Sequence, residues 1–273
     1  MNILRESDLS NRSVLVTGGA INIGRGIVDS FLENGDKVGI LDLNISHGVK
    51  EELEKTKPES VLTYEGDVSD ESFVKSVVND MIKKWGSVDV LVNNAALFYK
   101  APAEDIDIAQ WKRALDVNLT GPMICAKQVI PVMKRKKWGR IINIASMMSL
   151  IGAETYSPYA ASKAGLLQLT KVWAIELARD GITVNAICPG WIGTSKKEAF
   201  LDKIAAVHGT NREDAMDRLF ALIPQRRFLD ISEIASLALF LASDTARGIN
   251  GAGIVIDTGI TAGMPAGIQR KLE

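Results

Sequence analysis

Two cysteines and two histidines are all that 273 residues offer for thiol or imidazole chemistry. Cys125 and Cys188 stand in apolar runs, MICAK and VNAICPG. Buried free thiols are expected there rather than a disulfide or a nucleophile, and a reducing compartment suits both. His47 and His208 lie far apart with no ligand spacing around either, so no metal site is expected. Charge of either sign is scarce in excess: the net value is −1, which gives no reason for nucleic acid or an anionic membrane as partner. Basic residues cluster only at 134–137, and this run reads as a solvated helix end. No apolar run approaches the ~20 residues that cross a bilayer. The opening MNILRESDLSNR lacks the apolar core of a signal peptide. A cytoplasmic protein is the resulting expectation. Repeats, low-complexity tracts and linkers are also missing, which leaves one domain over residues 1–273.

What is present is an unbroken alternation of strand and helix patterns. Residues 14–16 (VLV) form an apolar run that ends in the glycine-rich stretch 17–24 (TGGAINIG). Residues 25–34 then carry Ile27, Phe31 and Leu32 at helical spacing. Residues 37–43 (KVGILDL) read as a second buried strand, ending in Asp42, 24 residues after Gly18. Strand, glycine turn, helix, strand and terminal acid is the layout of a dinucleotide-binding unit. Glycine permits the turn and lets backbone approach a pyrophosphate at the helix N-terminus. A carboxylate at Asp42 would accept from ribose hydroxyls and repel a 2′-phosphate, and Leu43 adds no cation. NAD is therefore expected over NADP.

The alternation continues with a helix over 46–55, a strand over 61–64 and a turn at 66–68. A helix over 70–85 follows, with Phe73, Val77, Val78, Met81 and Ile82 turned inward. The strand at 88–92 runs into Asn93, Asn94, Ala95 and Ala96, a loop at the strand end where open α/β sheets bind ligands. Two helical stretches, 110–119 and 122–136, join through residues 118–121. Asn118 is unfavourable inside a helix and predicts a local distortion or a specific polar contact. The strand at 140–145 delivers Ser146. Ser157 reads as an N-cap with Pro158 in the first turn of a helix reaching about 179. On it Tyr159 and Lys163 are four apart and share a face. A phenol titrates near pH ~10, and a cation beside it lowers that value. The pair is then suited to general acid–base work near neutrality. A strand over 183–188 runs into Pro189, Gly190, Trp191, Ile192, Gly193 and Thr194. Residues 195–222, interrupted by Gly209, read as a lid. A helix over 231–242 and a strand over 254–256 close the pattern. The tail 263–273, rich in glycine and charge, is expected to be mobile or to reach a neighbour.

Over residues 10–262 the chain resembles the short-chain dehydrogenases/reductases. The motifs fall in the family's order: Thr17-Gly18 through Gly24, Asp67, Asn93-Asn94-Ala95, Asn118, Ser146, Tyr159 with Lys163, then Pro189-Gly190 with Thr194. Each is weak alone, and the ordered set carries the resemblance. Asn22 stands where the family has Gly or Ala, and Ala96 where Gly is common. The resemblance implies an α/β, three-layer Rossmann fold, a doubly wound parallel sheet of about seven strands with helices on both faces. Residues 10–150 would form the cofactor half and 151–262 the catalytic and substrate half, with a lid over 192–225. Tyr159 would exchange a proton with the substrate oxygen, Lys163 would tune it and hold the nicotinamide ribose, and Ser146 would orient the substrate. Asn118 would hold a water in a proton relay. Gly18, Asn22, Ile23 and Gly24 would line the pyrophosphate, Asp42 and Leu43 the adenosine ribose, Asp67 and Val68 the adenine. Asn94 and Ala95 would take the adenosine side, and Pro189, Gly190, Ile192 and Thr194 the nicotinamide. Substrate contacts are expected from Ser146, Met148, Tyr159 and Trp191, with Met147, Glu154, Phe200, His208 and Phe220 as further candidates.

The expected activity is NAD-dependent interconversion of a secondary alcohol or sugar hydroxyl and its carbonyl, with a sugar or polyol favoured. A 3-oxoacyl reductase is the alternative within the family. A non-catalytic NAD-binding regulatory protein and a sugar-nucleotide epimerase are the alternatives outside it. The partner is a small molecule, and the helices near 122–136 and 158–179 resemble those that pair in the family's dimers and tetramers, so the resemblance implies a homotetramer.

Overall fold

The computed structural model describes residues 11–193 and 197–263. Thr194 and most of the tail named above lie outside the described residues.

Every residue of the first strand, β1 (Ser13–Thr17), is buried, and successive side chains go to opposite faces. Val14 and Val16 join one core cluster and Leu15 joins the other. That is the period of two by which a strand feeds two opposite faces. The same division runs through β2 (Lys37–Asp42), β4 (Val90–Asn93) and β5 (Gly139–Ile144). With β3 (Val61–Glu65), β6 (Ile182–Pro189) and β7 (Gly253–Ile256) they form one parallel sheet in the order β3-β2-β1-β4-β5-β6-β7. The first core holds Ile27 and Phe31 of α1 (Asn22–Glu33), Leu53 of α2 (His47–Thr56) and Ile234 and Ala238 of α9 (Ile231–Leu241). The second holds Val77 and Met81 of α3 (Glu71–Trp85), Val129 of α5 (Gly121–Lys136) and Trp173 of α6 (Ser157–Leu177). Helices therefore cover both faces of a Rossmann-type sheet. Cys125 and Cys188 are both free and buried within it.

The strand order reverses between β1 and β4, and parallel pairing aligns Thr17 with Asn93 and Asn93 with Asn143. Carboxyl ends of strands at such a reversal leave a crevice for ligands. At the opposite end of the sheet, buried charges are paired. Arg12 pairs with Asp36 at 2.6 Å and Arg140 with Asp244 at 2.7 Å. The basic run at the end of α5 is tied down as well, Lys136 to Asp89 and Lys134 and Lys137 to Asp180.

Three local features depart from or sharpen the sequence reading. Ser157 is not the N-cap: it is the first residue of α6, Tyr156 holds the cap position without a side-chain bond, and Pro158 stays in the first turn. Proline tolerates the first turn because its missing N–H has no intrahelical partner there, so the helix starts one residue earlier than a serine cap requires. The two helices around Asn118 are α4 (Ile108–Leu115) and α5, joined without a break by a π-helical turn, Asp116–Thr120. The insertion after β6 is a helical pair, α7 (Lys197–His208) and α8 (Arg212–Ala221), with Gly209 at φ +61 between them. Leu201, Leu219 and Ile223 give it a small core of its own. Its entry and exit are tied together: Leu229 N–H donates to Trp191 O at 2.8 Å, and Gly193 N–H donates to Leu229 O at 3.1 Å.

Candidate active site

The glycine turn between β1 and α1 is built by close backbone approach. Gly18 has φ +62, and a Cβ there would fall 2.8 Å from Ala95 Cα. A Cβ on Gly24 would fall 1.9 Å from Gly18 O. Only glycine fits both positions. Asn22 opens α1 at φ +50, a left-handed value that asparagine adopts more readily than most residues. The next strand end braces this turn. Asn94 Nδ2 donates to Gly18 O at 2.7 Å and Thr17 O at 3.1 Å. The N–H groups of Asn94 and Ala95 donate to Thr17 Oγ1 at 3.0 and 3.1 Å. The Asn94 side chain thus holds the loop itself. Asp42 Oδ2 accepts from Ala20 N–H at 2.9 Å, and Leu43 beside it is exposed. The Asp67 carboxylate takes Ser69 N–H at 2.8 Å, Ser69 Oγ–H at 2.7 Å and Arg113 Nη2 at 2.5 Å. Burial works to raise the Asp67 pKa, but Ser69 and Arg113 outweigh it and hold the carboxyl below its ordinary value. Val68, next in line, is buried against Gly121.

The second half of the site comes from β5 and α6. Ser146 leaves β5 in extended conformation, and its Oγ accepts from Met148 N–H at 3.1 Å, capping a short 3-10 turn. Tyr159 and Lys163 rise from the first two turns of α6. Lys163 is fully buried, and its Nζ donates to Ile144 O at 2.7 Å and stands 5.8 Å from the centre of the Tyr159 ring. Asn118, 0% exposed, presents its amide from the π turn. Its Oδ1 accepts from Leu97 N–H at 2.7 Å, and its Nδ2 donates to Leu97 O at 2.9 Å and Ser162 Oγ at 3.0 Å. Ser162 in turn donates to Tyr159 O at 2.7 Å. The distortion expected at Asn118 is there, and the polar contact is a clamp between the loop after β4 and the helix that carries Tyr159.

Electrostatics differ from the sequence expectation. Burial pushes the Tyr159 phenol up, Ser146 opposes it and Tyr156 adds to it. Lys163 is not among the causes. Its own ammonium is desolvated, which brings its pKa down to about 8, and it is bonded to a carbonyl. Burial pushes the neighbouring Cys188 thiol up to about 11.

Ser146, Tyr159 and Lys163 share one cleft of about 100 Å³ with Ile23, Asn94, Pro189, Gly190 and Ile192. Gly18, Asp42, Asp67 and Asn118 frame it without lining it. Met148 is buried beside Ser146, whereas Trp191 and Phe220 pack on the small core of the lid and His208 and Glu154 are exposed. A larger hollow of about 270 Å³ is lined by Arg227, Glu233 and Asp257 among others, and by none of the candidate site residues. Sequence reasoning missed Thr17, Arg113 and Ser162 as supporting groups. Ser162, three residues after Tyr159 on the inward face of a helix, was findable from spacing. Arg113 was not, because only the fold brings it to Asp67.

A family model described as enoyl-(acyl carrier protein) reductase matches residues 18–261. The chain belongs to the short-chain dehydrogenase/reductase family. Members use a nicotinamide cofactor, NAD or NADP, and this member is an oxidoreductase acting on CH–OH groups of a small molecule. The chain is 39% identical over 257 residues to an uncharacterized oxidoreductase, YxjF, of Bacillus subtilis (strain 168), covering 91% of this chain and 97% of that one. It is 32% identical over 255 residues to a D-beta-hydroxybutyrate dehydrogenase of Rhizobium meliloti (strain 1021), covering 92% and 99%. Among solved structures, levodione reductase superposes with a TM-score of 0.84 at 31% identity, covering 93% of this chain and 99% of that one. No helix among the described residues of this short-chain dehydrogenase/reductase is long and apolar enough to cross a membrane.

Proposed function

We propose that the protein interconverts a secondary alcohol and its carbonyl with NAD, using Tyr159 as general acid–base. The observation that carries this reading is the convergence of Ser146, Tyr159 and a fully buried Lys163 on one cleft beside the glycine turn. The residues suit a nicotinamide dinucleotide. An ammonium has three donors, and Ile144 O is the one protein acceptor for Lys163 among the described residues. Leaving the others unmet in a buried site is costly, and ribose hydroxyls would meet them. When bound, the nicotinamide supplies the hydride chemistry. The chain supplies the rest. Ser146 and Tyr159 hold the substrate oxygen, Tyr159 exchanges a proton with it, and Lys163 carries positive charge behind the phenol. Asn118 keeps α6 and the Leu97 loop in register, and a water behind Lys163 would complete the proton path.

Preference for NAD rests on charge. Asp42 is held at the mouth of the glycine turn by Ala20 N–H, where a 2′-phosphate would meet it. Arg25, in the first turn of α1, is committed to Asp29 at 2.7 Å and Glu52 at 2.8 Å. We read residues 1–273 as one domain, with cofactor and substrate halves meeting near residue 150 and the lid over 192–225 closing the substrate side. We also propose a cytoplasmic homotetramer. The test is kcat/KM with NAD against NADP on a panel of sugars, polyols, cyclic alcohols and hydroxyacids. NAD is expected to win; a preference for NADP would remove Asp42 from the argument.

A further inference from the structure

One ring packs on both Tyr159 and Tyr156. Phe98, on the loop after β4, meets Tyr159 edge to face at 5.1 Å between centroids and Tyr156 at 5.4 Å. Lys100 Nζ lies 5.4 Å from the Tyr156 ring centre. Edge-to-face pairs and a cation over a ring each fix orientation. The backbone is pinned too. Ala101 N–H donates to Thr155 O at 2.9 Å, joining this loop to the segment that enters α6. Thr155 sits at φ +69, a conformation that costs energy for a β-branched residue. Tyr99 OH accepts from Asp107 N–H at 3.0 Å and holds the far end. Yet Phe98, so firmly placed, is 56% exposed. Leu150 and Ile151, on the loop between Ser146 and Tyr159, are exposed apolar residues as well.

A rigid aromatic face left open to water beside a reacting group is unusual unless something apolar covers it. We propose that Phe98 is a specificity-determining wall, and that the site takes a secondary alcohol or ketone whose carbinol carbon bears an apolar group, a carbocycle or an alkyl chain. This rests on the hydride-transfer reading above and departs from the polyol expectation. A polyol would lay hydroxyls against the Phe98 ring, which carries no hydrogen-bonding atom. A carbocycle would instead bury carbon against carbon.

The experiment uses the full chain with cyclohexanol, sorbitol and isopropanol, each with NAD and with NADP, following formation of the reduced dinucleotide. Expected is a kcat/KM for cyclohexanol at least about tenfold above that for sorbitol. Phe98→Ala should lower the cyclohexanol value about tenfold through KM, with KM for the dinucleotide and the pH profile unmoved. Phe98→Leu should restore most of the loss. Sorbitol as the better substrate would overturn the wall while leaving hydride transfer intact. So would a Phe98→Ala variant that loses kcat on every substrate alike with a shifted pH profile, which would make the ring a brace for Tyr159. No turnover of any of the three with either dinucleotide would overturn the hydride-transfer reading, and the wall with it.

Discussion

At Tyr159, burial and a neighbouring hydroxyl pull in opposite directions, and burial wins. The ionised phenol needed for alcohol oxidation therefore forms on the alkaline side. Oxidation should keep speeding up as pH rises toward and beyond the ordinary phenol value of ~10, while carbonyl reduction, which uses the protonated phenol, should slow over that same alkaline interval. Parallel profiles for the two directions would remove Tyr159 as the titrating group. Tyr159→Phe keeps the ring and its packing on Phe98 but deletes the proton. Turnover is expected to fall about 10²- to 10⁴-fold with dinucleotide binding nearly intact, as read by steady-state rates beside fluorescence titration. Asn118 acts on stability as well. Removing its amide as Asn118→Ala strands Leu97 N–H and Leu97 O, while Ser162 Oγ loses a donor but keeps its bond to Tyr159 O. A loss of about 3 kcal/mol in urea unfolding is expected, since each orphaned buried group costs about 1–3 kcal/mol and partial relaxation recovers some.

Among the elements, the turn from β1 to α1 and the buried face of α5 carry the clearest consequences. Gly24→Ala would drive a methyl into Gly18 O, and dinucleotide affinity should drop at least about tenfold in calorimetry as the turn rearranges. On α5, burial pushes the Cys125 thiol up to about 12. An unfolded thiol ionises near pH ~8.5, so the folded chain keeps its proton where the unfolded chain loses it. This contribution is complete below that pH and is lost as pH rises toward 12. A Cys125→Ala variant should show a shallower alkaline decline of unfolding free energy, and an unchanged slope would exclude the thiol as its source. Local sequence signals foretold these elements well, because strand ends and glycine turns depend on neighbours in the chain. The start of α6 was displaced by one residue because two helix-start signals, Ser157 and Pro158, competed and proline prevailed. The π turn was legible only as a conflict at Asn118. What Asn94 and Asp67 bond to was hidden, since Thr17, Gly18 and Arg113 reach them only through the sheet and the packing of α4.

For the molecule as a whole, the α/β class followed from the strand–helix alternation, but neither the strand order nor the contacts of Phe98 did. Phe98, Tyr156 and Tyr159 become neighbours only when the β4 loop and the α6 start are brought together. Met123 on α5 and Val172 and Ile175 on α6 are exposed, Ile175 by 81%. Such exposed apolar side chains on long helices are what a self-complementary interface would cover. Sedimentation is expected to show four chain masses, and Ile175→Asp to shift the protein to a smaller species. A wild-type monomer at micromolar concentration would discard the tetramer.

The bridge at Trp191, Gly193 and Leu229 has a bearing on how such a protein diversifies. Because the stem of the α7–α8 excursion is stitched shut at its base, the stretch between behaves as a cassette. Changes of length within it are expected to leave β6 and α9 in place, because both ends are fixed by the same backbone bonds.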